Sequence, residues 1–451
     1  MPRPDHTLTP LGRSAAGVVA RLQKAGHPAR FAGGAVRDML LGRECADVDI
    51  ATAARPAEVK RIFPRARAVG AAFGVMLVPY RRRMFEVATF RREGDYSDGR
   101  HPDSVSFADE RADAARRDFT CNALFYDPAG RKVIDYVGGR ADIRAGILRT
   151  VGRPAARFGE DHLRMLRAAR FAARLDFRIE PTTARAIRRL APRIARISAE
   201  RIREELAGML APGGLVARRS LELVRQLGLL PHVLPGMELL VGLEQPPQFH
   251  PEGDCWEHTL CCLGLLPAGA DFPFAMAVLL HDLGKGVTAV KDPTGRMRFN
   301  DHAERGAEMA AELCRRLRMS KADCALVADL IRGHMRFKDL PHMRESKLKR
   351  FLRSERFGLH LALHRIDCLA SHGDLGIWRL ARSRLRTLPE EVLRPPRLVT
   401  GDDLLQRGYA EGPLIGRILA GLEEEQLEGR ITSRRAALAW VRRKFGGKNH
   451  G

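Results

Sequence analysis

Residues 30–52 read RFAGGAVRDMLLGRECADVDIAT, and the reading of this stretch decides the fold. It holds a glycine pair, Gly33 and Gly34, then Arg37 and Asp38, a short apolar run, and finally Asp47-Val48-Asp49. In an extended strand, side chains two apart share a face. Val48 is therefore expected to turn one way while Asp47 and Asp49 present two carboxylates together on the other. Like charges held that close repel unless a cation sits between them. An oxygen-rich site of this kind suits Mg²⁺, which takes a few carboxylates along with phosphate oxygens and water. The glycines permit a tight turn whose backbone N–H groups can approach a phosphate, and Arg37 is near enough in sequence to clamp it. A surface loop ahead of an acidic strand end would explain either half alone, but not both at this spacing.

Outward from this stretch, Leu11–Ala25 reads as an amphipathic helix, and Arg55-Pro56-Ala57-Glu58 opens another that ends near Phe63. Strands are expected over Ala68–Val78 and Met84–Phe90, joined by a basic turn at Tyr80–Arg83. The second carries Glu86 inside an otherwise apolar run, which by itself reads as a solvent residue on an edge strand. Residues 91–109, RREGDYSDGRHPDSVSFAD, are polar and glycine-bearing, which predicts a loop. Next comes RRDFTCNA, residues 116–123. Its Arg116 and Arg117 suit triphosphate oxygens, and Asp118 can orient an arginine or a ribose hydroxyl. A buried structural ion pair is the plainer reading of the same residues. Asp135–Gly139, DYVGG, reads as a closing turn.

Residues 158–177, FGEDHLRMLRAARFAARLDF, predict one strong helix with Leu163, Leu166, Ala169 and Phe171 on its apolar face. Asp161 and Arg164 are then i,i+3 neighbours, with Arg167 and Arg170 continuing the row. Ser198 is a plausible helix N-cap for the arginine-rich segment that follows. Pro212-Gly213-Gly214 and Pro246–Gly253 mark breaks.

The 30–52 stretch resembles the head-domain signature of the class II tRNA nucleotidyltransferases and bacterial poly(A) polymerases. RRDFTCNA is similar to that family's RRDFTxNA block, residues 91–109 to its flexible nucleotide-pocket loop, and Glu160-Asp161-His162-Leu163-Arg164 to its base-selecting EDxxRxxR pattern. The resemblance implies an α/β nucleotidyltransferase head of the polymerase-beta type, followed by mainly helical neck, HD and tail domains. It implies two Mg²⁺ ions on Asp47 and Asp49 with Glu86 as the supporting carboxylate. Nucleotide binding would fall to Gly33, Gly34, Arg37, Asp38, Arg116, Arg117, Asp118, Asn122, Asp161, Arg164, Arg167 and Arg170. The implied reaction is template-independent addition of C and A to the tRNA 3′ end from CTP and ATP. The alternatives are A addition alone, poly(A) synthesis, or an HD phosphohydrolase with a nucleotide-binding head.

A second constellation lies downstream. His258 stands in WEHTL, His281-Asp282 in LLHDLGKG, His302 in NDHAERGA, His334 in RGHMRF and Asp367 in HRIDCLA. A His-Asp pair with a histidine upstream and an aspartate far downstream resembles the HD superfamily ligand pattern. Mixed imidazole and carboxylate donors suit Mn, Fe, Co or Ni. His302 and His334 could bind a second metal or a phosphate.

Composition sets the frame. The chain has 451 residues, enough for three or four domains, and 77 Lys plus Arg against 54 Asp plus Glu, a net +23. That excess predicts a polyanionic partner, most simply nucleic acid; the resemblance implies tRNA, with Arg185, Arg188, Arg189, Arg193, Arg196, Arg201 and Arg203 of the neck on its phosphates. The eight cysteines form no CxxC pair, so reduced thiols are expected rather than a zinc ribbon or disulfide framework. The N-terminus lacks a signal-peptide core, and the apolar region 260–280 is interrupted by Pro267, Asp271 and Pro273, so no membrane span is expected. A cytoplasmic protein without an evident protein partner follows. The expected domains are a head over 1–153, a neck and RNA-binding region over 154–250, an HD domain over 251–394, and a tail over 395–451. Two short helical runs and a basic helix over Arg434–Lys444 are expected in that tail.

Overall fold

The computed structural model describes residues 9–69, 74–94 and 104–446. It divides into two compact units, one of residues up to 238 with 267–269 and 316–318, the other of the remainder.

The first unit opens on α1 (Pro10–Lys24), started by Pro10 and by Thr9, whose hydroxyl accepts the Gly12 N–H. Ala15, Val18, Val19 and Leu22, spaced along one helical face, are buried. Helices α2 (Gly34–Leu40) and α3 (Pro56–Ile62) follow, interleaved with strands β1 (Ala29–Ala32) and β2 (Asp49–Thr52). Strands β3 (Arg67–Ala68), β4 (Val75–Tyr80), β5 (Arg83–Thr89), β8 (Leu124–Asp127) and β9 (Lys132–Asp135) complete a seven-stranded sheet in the order β3-β4-β5-β2-β1-β8-β9. Only β2 and β5 pair in parallel; every other neighbour is antiparallel. The basic turn between β4 and β5 is real, with Arg81 and Arg82 both in the left-handed region, as a two-residue hairpin requires.

The expected strand over 68–78 is instead two strands, β3 and β4. Gly74 sits at φ +72°, a left-handed conformation that no continuous strand contains. The expected loop over 91–109 is flanked by a paired ribbon, β6 (Arg91–Glu93) with β7 (Val105–Phe107), while residues 95–103 lie outside the described residues. Helix α4 (Glu110–Ala115) leads to the 116–123 block, and the Asp135 carboxylate collects the N–H groups of Val137, Gly138, Gly139 and Arg140 ahead of α5 (Gly139–Ala145).

The single helix expected over 158–177 is broken. Helix α6 (Pro154–Glu160) ends and α7 (Arg164–Leu175) begins anew, because Asp161 turns extended and its carboxylate takes the Leu163 N–H. Strand β10 (Ile147–Leu148) pairs in parallel with β11 (Arg178–Ile179). Helices α8 (Pro181–Leu190), α9 (Ala199–Leu210), α10 (Gly214–Gln226) and α11 (Leu230–Val233) complete this unit's helical part. Ser198 does precede α9, but its hydroxyl makes no capping bond.

The second unit is almost wholly helical. Helices α12 (Cys255–Gly264), α13 (Phe272–Leu280), α14 (Lys285–Thr288), α15 (His302–Arg316), α16 (Lys321–Gly333) and α18 (Phe357–Ala370) surround the histidine constellation, with a ribbon of β12 (Ala289–Lys291) and β13 (Met297–Phe299) beside them. A core of Phe337, Phe351, Phe357 and their neighbours ties α17 (Glu345–Leu352) to α18 and α19 (Gly376–Thr387). After α20 (Glu390–Leu393), the tail helices α21 (Gly401–Leu405), α22 (Pro413–Leu427) and α23 (Arg434–Phe445) pack around Leu422 and Trp440. Helix α22 spans 15 residues, so it is no short run. Among the described residues, no helix is long and apolar enough to cross a membrane.

Candidate active site and metal cluster

In the head, β2 begins at Asp49, while Asp47 and Val48 precede it rather than lying within it. The expected alternation still holds, because Val48 is buried while Asp47 and Asp49 are exposed. The parallel register pairs Ile50 with Val87, which sets Asp49, at the start of β2, beside Glu86 in the middle of β5. Desolvation, then Asp47 and Glu86, push the Asp49 carboxyl up to about 6, against the pull of Arg117. Asp47, just ahead of β2, and Glu86, on β5, thus both lie near enough to Asp49 to act on its carboxylate. Such an all-oxygen donor set fits a small hard divalent cation.

Gly33 adopts φ +69°, and a Cβ there would stand 2.7 Å from the Arg117 guanidinium, so only glycine lets this turn pass. Arg37 is not the free clamp its position suggests. It is buried, donates to Asp38 at 2.8 Å and to the Asn122 amide oxygen at 2.5 Å, and lies over the Phe171 ring. Its role in this state is to join the glycine turn to the 116–123 block.

Within that block, Arg116 and Arg117 both bind Asp113, at 2.7 and 3.1 Å, and Arg117 also donates to the Asn122 carbonyl. Burial would raise Asp113, but the two guanidinium groups hold it below the usual carboxylate range. Asp118 accepts from Arg167 at 3.0 and 2.8 Å and from the Asn122 amide at 3.1 Å. Its carboxyl is likewise lowered by Arg167 despite burial. Arg170 forks onto Glu205 of α9.

The row Asp161–Arg164–Arg167–Arg170 is not a helical stripe. Asp161 is bound by Arg201, and Arg164 by Glu160, with a further bond from Arg164 to the Arg157 carbonyl at 3.0 Å. The three arginines bind chiefly Glu160, Asp118 and Glu205, and Arg167 also reaches Glu205 at 3.7 Å. Arg201 is correspondingly removed from the set of arginines open to phosphate. Asp113 and Glu205 are the participants that reading the sequence missed, and Arg201 was read there only as a phosphate contact, since their partners are set by tertiary packing.

The histidine constellation of the second unit comes together. His281 and Asp282 lie in the turn after α13 rather than on a helix, because α13 ends at Leu280. Asp282 is buried between two histidine pairs: Oδ2 faces His258 and His281 at 3.7 and 3.5 Å, and Oδ1 faces His302 and His334 at 3.7 and 3.8 Å. Asp367, on α18, reaches His258 Nε2 at 3.2 Å. Lys285 binds Asp282 Oδ2 at 2.8 Å.

The tautomers are set from outside. Nδ1 of His258, His281, His302 and His334 contacts, respectively, the Glu252 carboxylate and the carbonyls of Val278, Phe299 and Ile331. With the proton placed on Nδ1, each Nε2 turns a lone pair inward. Yet Nε2 of His258 and His281 are 3.2 Å apart, and those of His302 and His334 are 3.3 Å apart. Burial pushes His334 down to about 4 and lowers His302 as well, so added protons do not relieve the second pair. Around His258, burial is outweighed by Cys262, Asp367 and Glu252, which raise it; a proton there occupies the place of a cation. Facing lone pairs beside carboxylates are the donor arrangement of a transition-metal site.

The spacing of the two pairs is set by the backbone. A Cβ on Gly284 would stand 2.1 Å from the His302 carbonyl oxygen and 2.6 Å from the Gly306 nitrogen, so the turn after Asp282 lies directly against α15. A cavity of about 950 Å³ opens onto Asp282, His302, His334 and Asp367, with Lys285 and Lys338 in its wall.

Comparison with known proteins follows these divisions. Residues 29–149 match the Poly A polymerase head domain, residues 176–240 the probable RNA and SrmB-binding site of polymerase A, and residues 257–360 the HD domain. The CCA-adding enzyme of Geobacillus stearothermophilus is 46% identical over 231 residues, 51% of this chain and 56% of that protein. That of Bacillus licheniformis is 41% identical over 260 residues, 56% of this chain and 64% of that protein. The chain thus spans between half and two thirds of the length of the curated relatives it matches. The crystal structure of a Bacillus stearothermophilus CCA-adding enzyme in complex with CTP superposes with a TM-score of 0.69 at 29% identity, covering 98% of this chain and 100% of that one. A Thermotoga maritima CCA-adding enzyme complexed with tRNA shares the fold, at 20% identity, a TM-score of 0.60 and coverage of 98% and 97%. The chain carries a Poly A polymerase head domain, a polymerase A RNA-binding region and an HD domain in that order, as an α/β head, a helical neck and a helical second unit.

Proposed function

We propose that this protein adds C and A nucleotides to the 3′ end of tRNA from CTP and ATP without a nucleic-acid template, releasing pyrophosphate. The carboxylate triad of Asp47, Asp49 and Glu86 carries the reading, since it is the donor set that nucleotidyl transfer needs beside a glycine turn and an arginine-rich block. Two Mg²⁺ ions held by Asp47 and Asp49 would supply activation of the RNA 3′-hydroxyl and neutralisation of the triphosphate. Glu86 supports that pair from the neighbouring strand. Gly33 and Gly34 let the backbone approach the phosphates. Arg116 and Arg117 stand at the edge of this cleft and exchange Asp113 for triphosphate oxygens. Arg37, Asp38, Asp118, Asn122, Arg167 and Arg170 keep the cleft walls in place. Asp161 and Arg164 supply an acceptor and donors suited to the edge of C or A.

The relatives' printed names support this choice over A addition alone, and a cytoplasmic location follows from tRNA as substrate. The test is incubation with tRNA lacking its 3′ end, using CTP alone, ATP alone and both. Addition of two C, of none, and of CCA is expected; ATP incorporation onto any 3′ end regardless of CTP would instead make it a poly(A) polymerase.

The cavity over the HD cluster favours a second activity. Its lysines and candidate metal donors suit hydrolysis of a phosphate ester, with a transition metal such as Mn, Fe, Co or Ni held by His258, His281, Asp282 and Asp367, and a further ion by His302 and His334. Loss of phosphodiesterase activity in His281→Ala with Asp282→Ala, with CCA addition kept, is the expected result.

A further inference from the structure

The HD cluster contains a donor that its histidine and aspartate pattern does not include. Cys262 lies one helical turn after His258 on α12, so the two side chains share a face. The cysteine is fully buried, and its sulfur is 3.5 Å from His258 Nε2. The sulfur and the imidazole nitrogens of His258 and His281 all lie within 4.8 Å of one another. Asp367 brings a carboxylate oxygen to the same His258 Nε2 at 3.2 Å.

The charge balance explains why sulfur matters here. Asp282 Oδ2 faces this histidine pair but is already held by the Lys285 ammonium at 2.8 Å, and Lys285 is anchored in turn by Gln245 at 2.8 Å. Beside that shared oxygen, this side of the cluster offers two nitrogens and the Asp367 oxygen, to which Cys262 adds a sulfur. A thiolate among imidazole and carboxylate donors is a mixture that zinc takes. The other side, formed by Asp282 Oδ1, His302 and His334, has no sulfur and faces the cavity. The two halves therefore differ in softness.

We propose that Cys262 is a metal ligand beside His258, His281, Asp282 and Asp367, which makes theirs a thiolate-bearing site for a thiophilic divalent cation, zinc first. The inference rests on reading the HD cluster as a metal site and adds a donor and a preference to it. A soft ligand raises affinity for zinc and cobalt relative to manganese.

The test uses the full chain stripped with a chelator and titrated with Co²⁺. An intense near-ultraviolet sulfur-to-cobalt charge-transfer band is expected in the wild type and in Cys261→Ser, and is expected to vanish in Cys262→Ser while visible cobalt bands remain. Zinc affinity of Cys262→Ser should fall at least about tenfold, with manganese affinity changed less. Should Cys262→Ser fail to fold, the ¹¹³Cd resonance of the wild type reports sulfur coordination by its downfield position. Cobalt bound without a charge-transfer band, or a band that survives Cys262→Ser, would overturn the role of Cys262 and leave the HD metal site standing. No cobalt binding at all would overturn both.

Discussion

Arg201 holds both oxygens of the Asp161 carboxylate, at 3.2 and 2.7 Å, and so ties α9 to the break between α6 and α7. Those oxygens are the acceptors that the proposed base recognition uses. Arg201 is therefore a positioning residue under that reading. Arg201→Ala should raise UTP and GTP incorporation relative to CTP and ATP by roughly tenfold, the worth of one charged hydrogen bond. Competition among the four nucleotides measures it, and unchanged discrimination would reduce the pair to a structural tie.

Asp49→Asn and Asp47→Asn should each reduce transfer of every nucleotide by about a thousandfold or more, because several kcal/mol of charge stabilisation are lost. Binding of tRNA should change little. Filter binding and primer-extension rates on the same preparations separate the two effects.

The raised Asp49 carboxyl makes metal loading depend on pH. Its folded value of about 6 lies above the ordinary 3.8, so the metal-free folded head binds a proton that the unfolded chain releases. Stability of the metal-free head then falls as pH rises from about 4 to 6. Asp49→Asn should remove that penalty above pH 6, by no more than about 1 kcal/mol after solvent screening. Conversely, Mg²⁺ must displace the proton below pH 6, so calorimetric Mg²⁺ affinity should weaken there in the wild type.

The Asp118–Arg167 pair has the opposite sign. Its lowered carboxyl contributes stability at neutral pH that is lost as pH falls below about 4. Arg167→Ala strands Asp118 beside Asn122 and should cost about 3 kcal/mol at pH 7, shrinking towards acid pH. Urea unfolding at pH 7 and pH 3.5 checks both the size and the trend.

On the neck, Arg185, Arg189, Arg193 and Arg196 are exposed, and none is held by an acid as Arg201 is. Affinity for tRNA should fall with salt at a log–log slope of roughly −0.7 to −0.9 per phosphate neutralised. Arg189→Glu with Arg193→Glu should flatten that slope by about two contacts, equally for different tRNAs. An unchanged slope would place the RNA elsewhere.

Local patterns carried most of what the sequence revealed. The Asp47–Asp49 alternation, the turn at Arg81 and Arg82, and the face of α1 each depend on residues a few positions apart, where backbone period alone decides. The break at Asp161 was not visible, because Phe158–Phe177 keeps good helix formers throughout and a single aspartate capping its own neighbour interrupts them. The bond of Arg37 to Asn122 was hidden for a related reason: the two are 85 positions apart. Cys262 was legible in principle, since His258-Thr259-Leu260-Cys261-Cys262 has helical spacing, but a separation of four positions between two donors says nothing until a helix is assured.

The contact of Gly284 with the His302 carbonyl means that the distance between the two donor sets is a main-chain quantity. Side-chain substitution can retune which ion each half prefers without altering that interval. A methyl group added at Gly284, by contrast, would act as a wedge, spreading the halves and uncoupling them while every ligand remained in place.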